Sequence, residues 1–251
     1  MRPLLAIEDL HAGFGAAEAL HGVSLAMGRE RFALVGGSGA GKSLIARAIL
    51  RLPPPGAWMH GRIAFDGIDL MQADMRALRG RRIGWIAQDA RLSLDPVMRV
   101  GAQIEESLRL HRGLSGRALR EAALGLLATV RLADPVRVYG LHPHELSGGM
   151  GQRAMIAMML AGEPDLLIAD EPTSALDAST AMQVLGLLDE LVARRGMGLL
   201  FICHDLRLVE GFCDRVAVIE AGRIVEIGAA ASLGQSRHPY TSRLLAARPT
   251  L

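Results

Sequence analysis

Phe32-Ala33-Leu34-Val35-Gly36-Gly37-Ser38-Gly39-Ala40-Gly41-Lys42-Ser43 is the stretch from which the rest of this chain is read. Four apolar residues in a row suit a strand buried on both faces. The glycines that follow let the backbone curl until successive N–H groups point inward as an anion nest. Residues 44–50 continue at helical spacing until Pro53-Pro54-Pro55 stops them, so a helix N-terminus adds its partial positive charge at the same point. Gly36-x-x-x-x-Gly41-Lys42-Ser43 between a strand and a helix is a phosphate-binding loop. In it Lys42 is expected to reach the β- and γ-phosphates of ATP, and the Ser43 hydroxyl to ligate Mg²⁺.

Composition sharpens this reading. Lys42 is the only lysine among 28 basic side chains; all the others are arginine. A lone lysine marks a place where a compact, flexible ammonium is needed and a planar guanidinium does not fit. The 251 residues carry a net charge of +2, which gives no support to a nucleic-acid binder acting through bulk basicity. Half of the chain is hydrophobic, which excludes a disordered protein. Two cysteines, Cys203 and Cys213, make no disulfide framework and point to a reducing compartment. No apolar run approaches the roughly 18–20 residues that cross a bilayer. The start meets Glu8 and Asp9 before any signal-like core, so a cytosolic chain, or one peripheral on a cytosolic face, is expected.

Outward from the loop, residues 4–10 and 22–27 predict strands, and residues 62–70 a hairpin around Asp66-Gly67. Residues 82–88 predict another strand ending on Gln88. From 89 to 162 the pattern turns helical, with one helix after Ser115 and another opening near Ser147. Strands at 165–170 and 198–203, a helix over about 178–195 and a strand pair at Glu220-Ala221-Gly222 complete the chain. Strands alternating with helices in this way predict an α/β fold with a mostly parallel sheet. The organisation expected is a single domain, 1–251, with a helical subdomain inserted at 89–162.

Two further constellations carry chemistry. Asp170 and Glu171 end an apolar strand, and functional side chains collect at the carboxyl ends of parallel strands. Asp170 is expected to orient the Mg²⁺ shell, and Glu171 to accept the proton of the attacking water. Ser147-Gly148-Gly149 opens a helix 23 positions before Asp170 and makes a second anion cradle. One ATP needs one cradle. Two cradles in a chain point to two chains meeting head to tail, each completing the other's site.

Taken together these motifs resemble the nucleotide-binding subunit of ATP-binding cassette (ABC) transporters, over residues 4–247. Residues 36–43 match Walker A, 166–170 Walker B and Leu146–Met150 the family signature. The resemblance implies a P-loop NTPase fold with an N-terminal antiparallel β subdomain and an inserted helical subdomain. It also implies further roles. Gln88 would be the Q-loop glutamine, touching Mg²⁺ and relaying the state of the site. Asp177, in Ser174-Ala175-Leu176-Asp177, would lie in the D-loop that crosses the dimer interface. His204 would be the switch histidine on the γ-phosphate. Phe14, in Gly13-Phe14-Gly15 upstream of the first paired strands, would stack on adenine where the family usually has Tyr.

The wording around Gln88-Asp89, His142 to Met150 and the tail His238-Pro239-Tyr240-Thr241 is similar to importers of dipeptides, oligopeptides and nickel. Those systems pair two ATPase chains with two integral-membrane permeases and, indirectly, an extracytoplasmic solute-binding protein, at the cytoplasmic face of the inner membrane. A soluble non-transport ABC ATPase and an exporter ATPase are the rival readings. Gly151 stands where the family usually has Arg. No cysteine follows Cys213, so the iron–sulfur cluster of some longer relatives is not expected.

Overall fold

The computed structural model describes residues 2–89 and 93–246; residues 90–92 of the segment after Gln88, and 247–251, lie outside it. The chain divides into two compact units, one of Met1–Arg76 with Gly196–Leu251 and one of Ala77–Arg195.

The first unit begins with a four-stranded antiparallel sheet. Its strands are β1 (Leu5–Phe14), β2 (Ala17–Met27), β4 (Ala57–Phe65) and β5 (Ile68–Asp69), in the order β2-β1-β4-β5. Two expectations need correction here. Strand β2 starts at Ala17 rather than residue 22, and β1 runs on to Phe14, which pairs with Ala17. Phe14 is therefore the last residue of the first hairpin arm and not upstream of the paired strands. Likewise β4 starts at Ala57 rather than residue 62. Its first half lies beyond a register shift, on the far side of Gly61, and pairs with His11 to Phe14. A Cβ at Gly61 would stand 2.4 Å from the Asp9 carbonyl, so this strand needs a glycine inside it. A glycine in mid-strand reads locally as a turn.

The same unit holds β3 (Arg31–Val35), β8 (Gly198–Cys203), β9 (Arg215–Glu220) and β10 (Arg223–Ala229). Strands β8 and β9 flank β3 and run parallel to it, while β10 returns antiparallel to β9. Phe32, Ala33, Leu34 and Val35 are fully buried, as are Leu200, Phe201 and Ile202. Apolar runs without alternation become strands covered on both faces. Burying one such phenylalanine stabilises the fold by about 1.5–3 kcal/mol. Phe201 also meets Phe212 edge to face at 5.1 Å. Helix α1 (Lys42–Ile49) follows β3, α7 (Leu206–Phe212) follows β8, and α8 (Pro239–Ala246) follows β10.

The second unit pairs β6 (Ile83–Ile86) in parallel with β7 (Leu166–Asp170), whose five residues are all buried. Between them come α2 (Val100–Arg112), α3 (Gly116–Thr129), α4 (Pro135–Gly140) and α5 (Gly148–Met159), and after β7 comes α6 (Ala178–Arg195). Helix α3 buries Leu119, Ala123, Leu126 and Leu127, the stripe that the helical spacing predicts. Helix α4 carries Pro135 in its first turn and is capped by Asp134, whose carboxylate accepts the Arg137 N–H at 2.9 Å. Among the described residues, no helix is long and apolar enough to cross a membrane.

Candidate functional site: a phosphate loop and a second anion cradle

In the first unit the chain leaves β3 at Val35 and enters α1 at Lys42. The turn between them is held by close packing. A Cβ on Gly36 would stand 2.3 Å from the Ile219 carbonyl, and Gly41 takes φ 102°, which side chains disfavour. No side chain caps α1. The first N–H groups of a helix have no acceptor within it, so those of Lys42 and Ser43 are presented at the loop. Lys42 is 6% exposed, and its ammonium donates to the carbonyls of Gly36 at 2.9 Å and Gly37 at 3.0 Å. An ammonium has three protons, so one remains for a phosphate oxygen. Gly37 is half-buried, Ser38, Gly39 and Ser43 are exposed, and Ala40 is buried with its N–H on the Gly37 carbonyl at 3.3 Å.

Phe14 is 43% exposed, an open aromatic face at the end of β1. The turn after it is fixed by a residue that sequence reading passed over. The Trp58 indole N–H donates to the Gly15 carbonyl at 2.9 Å, and a Cβ on Gly13 would meet the Trp58 ring at 2.8 Å. The spacing of Trp58 opposite Gly13 was the available signal, hidden by the glycine break in β4. His204 is exposed just beyond the end of β8. The next residue, Asp205, caps α7 by accepting the Arg207 N–H at 2.9 Å. Burial acts to raise the Asp205 pKa, but the Arg207 guanidinium and N–H outweigh it and hold the carboxyl below its ordinary value.

The second unit carries the acids and the other cradle. Asp170, 6% exposed, ends β7. Glu171 follows at φ 48°, a left-handed backbone that a glutamate adopts only when its surroundings impose it. Its carbonyl accepts from the Ser174 hydroxyl at 3.0 Å, closing the turn. Its carboxylate accepts from the Gln88 side-chain amide at 3.3 Å, so the structure brings these two predicted residues together.

Ser147 is the N-cap of α5 and takes the Met150 N–H in a long 3.4 Å contact. As an acceptor in that bond it keeps its hydroxyl proton for another partner. Ser147 and Gly148 are exposed, while Gly149 is buried. Asp177 caps α6, accepting the Thr180 N–H at 3.0 Å and the Thr180 hydroxyl at 2.7 Å. These hydrogen bonds, the N–H foremost, hold its carboxyl below the ordinary aspartate range.

Magnesium fits the donors present. Among the described residues no group of three or more His, Cys, Asp or Glu side chains could hold a metal. Mg²⁺ on a nucleotide needs no such cage, because phosphates and water fill most of its shell. In the first unit Ser43 offers an exposed hydroxyl, and in the second Asp170 offers a buried carboxylate and Gln88 an exposed amide, each by itself a type of ligand that Mg²⁺ takes.

Comparison with known proteins identifies the family. A family model described as ABC transporter matches residues 20–174. The oligopeptide transport ATP-binding protein OppD of Bacillus subtilis is 44% identical across 99% of this chain and 72% of its own length. The dipeptide transport ATP-binding protein DppD of the same organism is 41% identical across 100% of this chain and 78% of its own. Among solved structures, the dimeric ATP-binding cassette MJ0796 with ADP and phosphate superposes with a TM-score of 0.79 at 28% identity. That match covers 90% of this chain and 98% of the cassette. With its α/β fold and its parallel-rich core, the chain belongs to the ABC transporter family and is one of its ATP-hydrolysing enzymes.

Proposed function

We propose that this chain is the ATP-binding and hydrolysing subunit of an ABC importer that takes up di- or oligopeptides through partner permeases. The observation that carries the proposal is the presence in one chain of two glycine-bearing helix starts, at residues 36–43 and at Ser147 to Gly149, each suited to an anion. The names of OppD and DppD favour peptides over nickel.

In this reading Phe14 stacks on adenine, and the loop of residues 36–43 holds the phosphates through amides other than those of Gly37 and Ala40, which have partners within the unit. Lys42 balances the charge on the β- and γ-phosphates. Ser43, Gln88 and Asp170 would hold Mg²⁺, which would supply positive charge to those phosphates. Glu171 takes the proton of the attacking water, held in place by Gln88, and His204 holds the γ-phosphate. Ser147, Gly148 and Gly149 close on the ATP of a second, facing ATPase subunit, and the Asp177 segment lies at that interface. The chain sits peripherally on the cytoplasmic face of the membrane against two permease subunits. An extracytoplasmic solute-binding protein delivers the cargo, and nucleic acid has no part.

Glu171→Gln tests the reading. The carboxamide keeps the shape but cannot accept the proton, so ATP affinity stays near normal and hydrolysis falls about 10²-fold or more. An ATP-loaded dimer then accumulates on size-exclusion chromatography. Turnover at the wild-type rate would remove Glu171 as the base, and a variant that stays monomeric with bound ATP would remove the paired-subunit site.

A further inference from the structure

The phosphate loop is gripped from one side by the C-terminal part of its own unit. The turn between β9 and β10 donates the Gly222 N–H to the Ala40 carbonyl at 3.2 Å, and the Ile219 carbonyl abuts Gly36. A third contact comes from farther along the chain. The Tyr240 hydroxyl accepts the Gly37 N–H at 2.8 Å, across 203 residues of sequence.

Tyr240 is itself firmly seated. It lies in the first turn of α8, next to fully buried Thr241. The Thr241 and Ser236 hydroxyls both donate to one carboxylate oxygen of Glu226 on β10, each at 2.6 Å. The Ser242 hydroxyl closes back on the Ser236 carbonyl at 3.2 Å. Arg243 pairs with Glu220 at 3.0 Å, and its guanidinium lies 5.6 Å from the Tyr240 ring centre. The phenol is thus a preorganised acceptor on a braced segment.

We propose that Tyr240 is a positioning residue of the nucleotide site. Its hydroxyl holds the Gly37 amide, fixes the entrance of the phosphate loop, and ties nucleotide affinity to the docking of residues 236–246. The physical argument is the cost of ordering. A glycine-rich loop that must be ordered when the anion arrives loses affinity to that ordering, whereas a loop already held does not. Gly37 is well suited as the point of attachment. Its N–H shares a peptide plane with the Gly36 carbonyl, which takes the Lys42 ammonium at 2.9 Å, so anchoring that N–H orients an acceptor that holds Lys42. Linkage is reciprocal, so bound nucleotide must in turn secure the tail segment.

The proposal rests on residues 36–43 being the ATP phosphate site, and the test separates the two. The full chain is titrated with the fluorescent derivative mant-ATP and Mg²⁺ as wild type, Tyr240→Phe and Lys42→Ala. Exchange of the Gly37 amide in the nucleotide-free protein is followed by NMR, and exchange across 236–246 is followed with and without ATP. Tyr240→Phe keeps the ring and its contact with Arg243 and removes one acceptor. It is expected to weaken mant-ATP binding about three- to tenfold. It should also speed Gly37 exchange and abolish the protection that ATP gives residues 236–246.

If Tyr240→Phe binds like wild type while Lys42→Ala does not, the positioning role is overturned. It is equally overturned if Tyr240→Phe lowers the nucleotide-free melting temperature but leaves affinity unchanged. If Lys42→Ala binds like wild type, the phosphate-site reading falls first and this proposal with it.

Discussion

Gly149 offers a sharp test of how the signature segment is built. A Cβ placed there would lie 2.3 Å from the Thr180 Cγ2. Carbon atoms rest at about 3.5–4.0 Å, so the overlap exceeds roughly 1 Å. Thr180 has little freedom to turn away, because its hydroxyl and its N–H both bind the Asp177 carboxylate. Rotating it forfeits a side-chain hydrogen bond of about 1 kcal/mol, while leaving it in place costs about 1–3 kcal/mol of overpacking. Replacing a helical glycine by alanine returns about 0.5–1 kcal/mol. The balance for Gly149→Ala is a loss of about 0.5–2 kcal/mol, which lowers Tm by roughly 1–8 °C in a chain of this size.

Thr180→Ser removes the offending methyl and keeps the hydroxyl on Asp177. Thermal and urea unfolding by circular dichroism of both single variants and the pair then form a double-mutant cycle. The expected coupling is at least about 1 kcal/mol in favour of the double variant. Gly149→Ala melting at or above wild type, or no recovery with Thr180→Ser, would refute the packing argument.

Other outcomes follow from burial and charge. Burial raises the Cys203 thiol and pushes Cys213 up to about 12. The thiolate is the reactive form, so both should alkylate with iodoacetamide at pH 8 on the order of a thousandfold slower in the native protein than in denaturant. A native rate close to that of a free peptide would contradict the buried placement. At the start of β9, the Asp214 carboxylate accepts the Arg31 N–H at 2.8 Å and its guanidinium at 2.9 Å. The Arg31 side chain, acting against burial, holds the Asp214 pKa below its ordinary value. A carboxyl depressed in the folded state contributes stability above its unfolded pKa and loses it as pH falls through the folded pKa. Asp214→Ala should therefore cost about 1 kcal/mol near neutral pH, discounted for exposure, with the gap to wild type closing as pH drops below about 4. A gap that does not change between pH 7 and pH 3 would show that the ion pair is not its source.

Legibility in the sequence followed the range of the interactions. The turn from β3 into α1 was readable because a buried strand, a glycine run and a helix start lie within about a dozen consecutive positions. The buried stripe of α3 was readable because helical periodicity is local. Strand β4 was half hidden because Gly61 sits inside it, where it admits the Asp9 backbone. The same break concealed Trp58 as the partner of the Phe14 turn. Tyr240 could not be placed from spacing at all. Its bond to Gly37 spans 203 residues, and nothing near either residue announces the other. Gln88 and Glu171 were each expected at the site, but their direct contact depends on β6 and β7 lying side by side.

The arginine-only surface has a practical outcome of its own. The one side-chain amine in the protein is the 6%-exposed Lys42, enclosed by the loop that surrounds it. Acylating and imine-forming reagents therefore meet no other side-chain amine in this sequence. Any covalent tag found on a side-chain amine reports directly that the phosphate pocket was open when the reagent arrived.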